Sequence, residues 1–251
     1  MLPIFCVIPA RYGAQRFPGK PLADLCGKPM VQWVWEAACR VPGVDEVLVA
    51  TEDDRIRRAV EGFGGKAVMT PVSCPSGTDR IAAAIGDRPC RAVINIQGDE
   101  PLMHPETVAR SLQALLEDDQ CAVGTACVPI TDRARFDDPS VVKVVRGDNA
   151  VALYFSRSPL PSPARREAAE TQAPGFVWGH KHLGIYVYRP EALRAFVGMP
   201  PSRLELAEKL EQLRFLEAGY RIRCVDTPHD SAGIDTPDDL ARAAALLAKR
   251  G

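Results

Sequence analysis

The chain has 251 residues, 46% of them hydrophobic, with 31 basic side chains against 32 acidic ones. That length buries a full core and suits one α/β domain. The balanced charge excludes a global field that would draw in a nucleic-acid backbone or an anionic membrane, so neither partner is expected and any anion site must be a local cluster.

The first strand is predicted over IFCVIPA (4–10), followed by a helix over PMVQWVWEAACRV (29–41), where Val31, Val34 and Ala38 recur at helical spacing behind Pro29. EVLVAT (46–51) reads as a strand, DDRIRRAVEGFG (53–64) as a helix opened by acids and closed by glycine, and KAVMT (66–70) as a third strand. SGTDRIAAAIG (76–86) reads as a short capped helix, AVINIQ (92–97) as a buried strand and HPETVARSLQALLEDD (104–119) as an amphipathic helix. After Cys121 the texture changes. CAVGTACVPI (121–130) is a strand, VVKVVRGDNAVALYFS (141–156) a hairpin turning at Gly147, Asp148 and Asn149, and RSPLPSPARREAAETQAPG (157–175) a polar, proline-rich loop. KHLGIYVYR (181–189) is a strand, SRLELAEKLEQLRFLEAG (202–219) one strong helix, RIRCVDT (221–227) a strand and TPDDLARAAALLAKR (236–250) a terminal helix.

Alternation at this pace implies an α/β fold with a mostly parallel sheet, helices on both faces and ligands beyond the carboxyl ends of the strands. One domain over 1–251 is expected, with a hairpin and loop insertion at 139–190 that serves a dimer. The segment MLPIFCVIPA lacks a basic leader and a small-residue cleavage site, and no run reaches the ~18 apolar residues of a membrane span, so a cytoplasmic protein is expected. The eight cysteines form no CxxC and lie at no zinc-finger spacing to a histidine, which predicts reduced thiols rather than a disulfide or zinc framework.

The loops after strands hold the candidate chemistry. IPARYGAQRFPGK (8–20) places Arg11, Arg16 and Lys20 between Pro9 and Pro18, just past the first strand. Guanidinium groups grip phosphate oxygens bidentately and lysine adds a compact charge, while the prolines stiffen the loop. A solvated surface loop is the plainer alternative. The chain has neither GxxxxGK[ST] nor GxGxxG, which disfavours a dinucleotide-dependent oxidoreductase. In INIQGDEP (94–101) a buried strand ends in Gln97, Gly98 and Asp99, and such a carboxylate can reach a hydrated Mg²⁺ or simply close a turn. In SAGIDTPDDL (231–240) Thr236 and Pro237 read as a helix start, an account that does not require Asp235, so Asp235 is either a dipole partner or a second metal carboxylate. Ser76, Gly77 and Thr78 offer hydroxyls and N–H groups before a helix, with Arg80 adding a donor; half of that is an ordinary cap. Arg157, Lys181, His182, Tyr186, Glu211 and Gln212 receive no role from their residue types alone.

Taken in order, IPARYGAQRFPGKPL, GKPM, VATEDD, SGTDR, NIQGDEP, VVKVV, ALYFSR, KHLGIYVYR, AEKLEQLR and GIDTPDDL resemble the 3-deoxy-manno-octulosonate (Kdo) cytidylyltransferases across nearly the whole chain. The resemblance implies a Rossmann-like nucleotidyltransferase fold, a homodimer, and conversion of CTP and Kdo to CMP-Kdo and pyrophosphate with Mg²⁺, for lipopolysaccharide or related glycan synthesis. It further implies that Arg11, Arg16 and Lys20 hold the CTP phosphates, with Ser76, Thr78, Arg80 and Gln97 at the nucleotide. Asp99 and Asp235 would ligate Mg²⁺, and catalysis would rest on Lys20, Asp99 and Asp235. Arg157, His182, Tyr186, Glu211 and Gln212 would face the sugar, Arg157 and His182 receiving its carboxylate. An 8-amino-Kdo or sialic-acid-like substrate, or an inactive nucleotide-binding protein, are the competing expectations.

Overall fold

The computed structural model describes residues 1–13, 17–164 and 173–248. Arg16, part of the proline-rich loop and the last two residues of the expected terminal helix lie outside them. Strand β1 (Ile4–Pro9) sends Ile4, Cys6 and Ile8 into one core and Phe5 and Val7 into another. A strand buried on both faces needs cover on both sides. On one face α1 (Met30–Cys39), α2 (Asp54–Gly62) and α4 (Pro105–Leu116) bury Val34, Ile56 and Leu112 against the even positions of β1. On the other, α3 (Gly77–Ile85), α6 (Pro190–Gly198) and α8 (Gln212–Glu217) bury Ile81, Phe196 and Phe215 against the odd ones.

The main sheet runs β11-β7-β10-β6-β1-β4-β5, where β4 is Glu46–Thr51, β5 Lys66–Met69, β6 Ala92–Asn95, β7 Val123–Ile130, β10 Gly179–Tyr188 and β11 Ile222–Asp226. β1 pairs in parallel with β4 and β6, β4 with β5, and β7 with β11. Only β10 on this path opposes its neighbours, with Val187 opposite Ile94 of β6 and Gly124 of β7. The mostly parallel sheet between two helix layers is the architecture the alternation predicts.

Three features depart from the sequence reading. The expected helix 202–219 is two short ones, α7 (Arg203–Glu208) and α8, because Lys209 turns left-handed at φ 56°. A buried ion pair holds the break, with Arg214 Nε and Nη2 donating to Glu205 Oε2 and Oε1 at 2.7 and 2.5 Å. Second, span 139–190 is no simple insertion. Its hairpin, β8 (Lys143–Arg146) with β9 (Ala152–Ser156), hangs on β10, but β10 itself lies inside the sheet. Third, α5 (Arg133–Asp137), α6 and the small β2–β3 pair (Asp24–Leu25, Lys28–Pro29) were not anticipated. The last matters for function: α9 (Pro237–Leu247) packs Ala243 and Leu240 with Leu25 and Met30, carrying the chain's end back to its beginning. All eight cysteines are free, and among the described residues no helix is long and apolar enough to cross a membrane.

Candidate active site

The segments that leave β1 and β6 at their carboxyl ends run side by side, because β1 and β6 are parallel neighbours. Gly98 permits the approach. A Cβ there would stand 2.8 Å from the Pro9 carbonyl oxygen, a backbone atom that cannot swing away. Gly98→Ala is therefore expected to cost about 1–3 kcal/mol in urea unfolding; an unchanged midpoint would refute the contact. Above this crossing lies a cavity of about 500 Å³, lined among others by Arg11, Lys20, Ser76, Arg80, Gln97, Asp99, Glu211 and Asp235.

At its floor the Lys20 ammonium donates to Asp99 Oδ2 at 2.6 Å, to Asp235 Oδ1 at 3.3 Å and to the Ile234 carbonyl at 2.9 Å. Residues 215 positions apart in the chain meet here through two anchors. The packing of α9 on β2–β3 returns the C-terminal segment, and the Ile234 N–H donates to the Asp99 carbonyl at 2.8 Å. Thr236 caps α9 in a reciprocal box with Asp239, and Pro237 follows it. The ammonium marks where positive charge settles between two carboxylates. Hard oxygen donors of this kind suit Mg²⁺, so Asp99 and Asp235 fit the metal that the resemblance implies.

Ser76 caps α3, accepting from the Asp79 N–H, so the helix presents its positive end to the cavity. Thr78 faces inward instead and donates to Glu211 Oε2 at 2.7 Å, tying α3 to the α7–α8 break. Arg80 is buried and held by Thr70 Oγ1 at 2.6 Å and Glu52 Oε2 at 2.8 Å. Glu52, not singled out beforehand, also accepts from the Tyr12 N–H at 3.1 Å and so fastens the opening loop to Arg80. Its signal was its place: an acid one residue past β4, at the ligand edge of the sheet. Gln97 is oriented through Asn95 Oδ1 at 3.1 Å.

The second-half residues divide. Glu211 lines the cavity, and burial pushes its carboxyl up, against the bonds from Thr78 and Ser76. Gln212 is buried with its amide nitrogen unpartnered, and Tyr186 stacks on Tyr188 with the His182 ring tilted against it. Arg157 and His182 are both held by neighbouring groups of the protein. Arg157 is not among the cavity's lining residues; its Nε and Nη1 donate to the Glu208 and Pro139 carbonyls at 2.8 and 3.1 Å, so it holds the hairpin end against α7. His182 is 7% exposed, and burial, then the nearby Lys181 charge, push its imidazole down to about 3. Thr125 Oγ1 donates to the Ile185 carbonyl at 2.7 Å and so receives the His182 Nε2–H at 3.0 Å.

The same burial has a pH signature. Unfolded His182 takes a proton near 6.5 and the folded one resists until about 3, so the unfolded state binds more protons between those values. Stability from this group is intact above pH 6.5 and falls by about 1.4 kcal/mol per unit below it. His182→Gln is expected to flatten the acid limb of a urea-unfolding series taken from pH 7 to 4; an unchanged slope would contradict the buried neutral ring.

A nucleotide-sized cavity at the carboxyl edge of a parallel sheet, with cations facing paired carboxylates, is the arrangement of a nucleotidyltransferase, and the Cytidylyltransferase family model matches residues 5–222. Relatives narrow the class. The 3-deoxy-manno-octulosonate cytidylyltransferase of Geobacter sulfurreducens is 48% identical, over 95% of this chain and 97% of its own, and that of Escherichia coli 46%, over 97% and 95%. The solved structure of CMP:2-keto-3-deoxy-manno-octonic acid synthetase complexed with CTP superposes with a TM-score of 0.91 at 45% identity, over 99% of this chain and all of that one. A 4-diphosphocytidyl-2C-methyl-D-erythritol synthase from Anaerococcus prevotii shares the fold alone, with a TM-score of 0.63 and 15% identity over 98% of this chain and 99% of that one. The chain belongs to the 3-deoxy-manno-octulosonate cytidylyltransferase family.

Proposed function

We propose that the chain activates Kdo with CTP, forming CMP-Kdo and pyrophosphate for lipopolysaccharide or a related glycan, as a cytoplasmic homodimer that uses Mg²⁺. The observation that carries this reading is the clasp of Lys20, Asp99 and Asp235 at the floor of the cavity, in a chain of this family. The anomeric hydroxyl of the sugar attacks the α-phosphorus of CTP and pyrophosphate leaves. Catalysis of such a displacement is positioning plus neutralisation of phosphate charge, with no nucleophilic side chain needed.

Arg11, Arg16 and Lys20 are assigned to the triphosphate. Lys20 arrives already oriented by two carboxylates and a carbonyl, so little reorganisation is required of it. Ser76, Thr78, Arg80 and Gln97 are assigned to the nucleotide: the α3 N-terminus and Arg80 supply positive potential, and Thr78 acts through Glu211. Asp99 and Asp235 would hold Mg²⁺, which when bound polarises the α-phosphate and lowers the pKa of the attacking hydroxyl. Glu211, Gln212 and Tyr186 are assigned to the sugar, with the unpartnered Gln212 amide as a donor for one of its oxygens. Arg157 and His182 are assigned to the sugar with them.

Pyrophosphate release from CTP with Mg²⁺ and a panel of acidic sugars tests the reading. Kdo is expected to be turned over best. Preference for an 8-amino or sialic-acid-like sugar would overturn the substrate, and CTP binding without pyrophosphate release with any sugar would overturn the enzyme.

A further inference from the structure

We propose that His104, Glu106 and His229 form a second cation site, separate from Asp99 and Asp235 and suited to a borderline transition ion such as Zn²⁺, Co²⁺ or Ni²⁺. Each residue offers one ligand atom, and the three atoms lie within 4.8 Å of one another. The two imidazoles stack with centroids 3.4 Å apart and planes 13° off parallel. His229 Nε2 lies 3.0 Å from Glu106 Oε2. Arg110 donates to the other oxygen, Oε1, from Nε and Nη2 at 2.9 and 2.6 Å, which fixes the carboxylate with Oε2 turned toward the histidines. Two imidazoles and one carboxylate are a three-ligand set for Zn²⁺ with a position left for water. Nitrogen donors also select against Mg²⁺.

Binding has costs that set its strength. Stacked rings point their lone pairs side by side, so one ring must turn to share an ion, which these partly exposed side chains can do. His104 Nδ1 accepts from the Glu106 N–H at a long 3.3 Å, capping α4, and ligation gives up that bond. The Arg110 charge opposes a cation. An affinity on the order of micromolar follows, rather than that of a closed structural site.

The position of the cluster gives it a consequence. His104 lies five residues beyond Asp99, and His229 six residues before Asp235. The two segments are joined at the cavity end by the Ile234–Asp99 backbone bond, and near the far end by the Thr107 and Thr227 hydroxyls at 2.8 Å. An ion at the cluster would staple the far end and stiffen both segments. This site does not depend on the proposed activity.

Co²⁺ titration of the metal-free, reduced full-length chain, with excess Mg²⁺ to occupy Asp99 and Asp235, tests the site by its visible d–d absorption. One equivalent with nitrogen and oxygen ligation is expected. His104→Asn, which keeps a capping side chain, and His229→Gln should each weaken binding by about ten-fold or more, while Asp99→Asn leaves it unchanged. Zn²⁺ should raise the Tm of the parent chain and not that of the double histidine variant. Absence of binding at about 1 mM Co²⁺, thiolate-to-cobalt bands in its place, or binding by both histidine variants as tight as by the parent chain would overturn the proposal.

Discussion

Asp99→Asn is expected to lower kcat for pyrophosphate release by about 10²–10³-fold while the chain still folds. The argument is electrostatic. Asp99 accepts the shortest bond from Lys20, at 2.6 Å, and its side chain is less exposed than that of Asp235, 29% against 46%. Asparagine keeps the shape and one oxygen for Lys20 but removes the negative charge that a divalent cation needs. Asp235→Asn should act in the same direction and less strongly, since its carboxylate is farther from Lys20 and better solvated. Unfolding midpoints near that of the parent chain would separate this loss from misfolding. Full activity in either variant would dismiss its carboxylate from the reaction.

Lys20→Met is expected to move two quantities in opposite directions. Turnover should fall by about 10²–10³-fold, because a charge aimed at the leaving pyrophosphate is gone. Mg²⁺ affinity, read by calorimetry without nucleotide, should rise by about ten-fold. In the parent chain an ammonium neutralises both carboxylates at 2.6 and 3.3 Å and competes with any other cation for them. A variant that lost turnover and Mg²⁺ affinity together would point to a collapsed loop rather than to a missing charge.

What could be read from the sequence was local. The strand runs, the caps at Ser76 and Thr236, and the position of Lys20 and Asp99 just past strands all follow from short-range pattern, because hydrogen bonding and side-chain alternation operate over a few residues. Failures came where distance or burial decided. Nothing in SRLELAEKLEQLRFLEAG announces that Lys209 leaves the helix; the Glu205–Arg214 pair that holds the break is compatible with either form until the core is assembled. His182 and Arg157 looked like cations for a sugar acid because sequence carries charge type but not solvent access. Burial disfavours the charged form of His182, and two carbonyls accept from Arg157. Glu52 was visible only as an acid after a strand, and its partners, Tyr12 on the opening loop and Arg80 on α3, are brought to it only by the tertiary fold.

The reversed strand β10 has a consequence for how the molecule is made. On the main path, β5-β4-β1-β6 and β7-β11 are joined to each other only through residues 179–188. During synthesis the β6 edge, a fully buried Ala-Val-Ile-Asn run in the finished molecule, must wait for some eighty further residues before it is covered. Such late closure makes folding slow and leaves a sticky edge open on the ribosome, so a nascent chain stalled before Gly179 is the form most prone to aggregate. The catalytic clasp waits longer still, since its last member comes from residue 235.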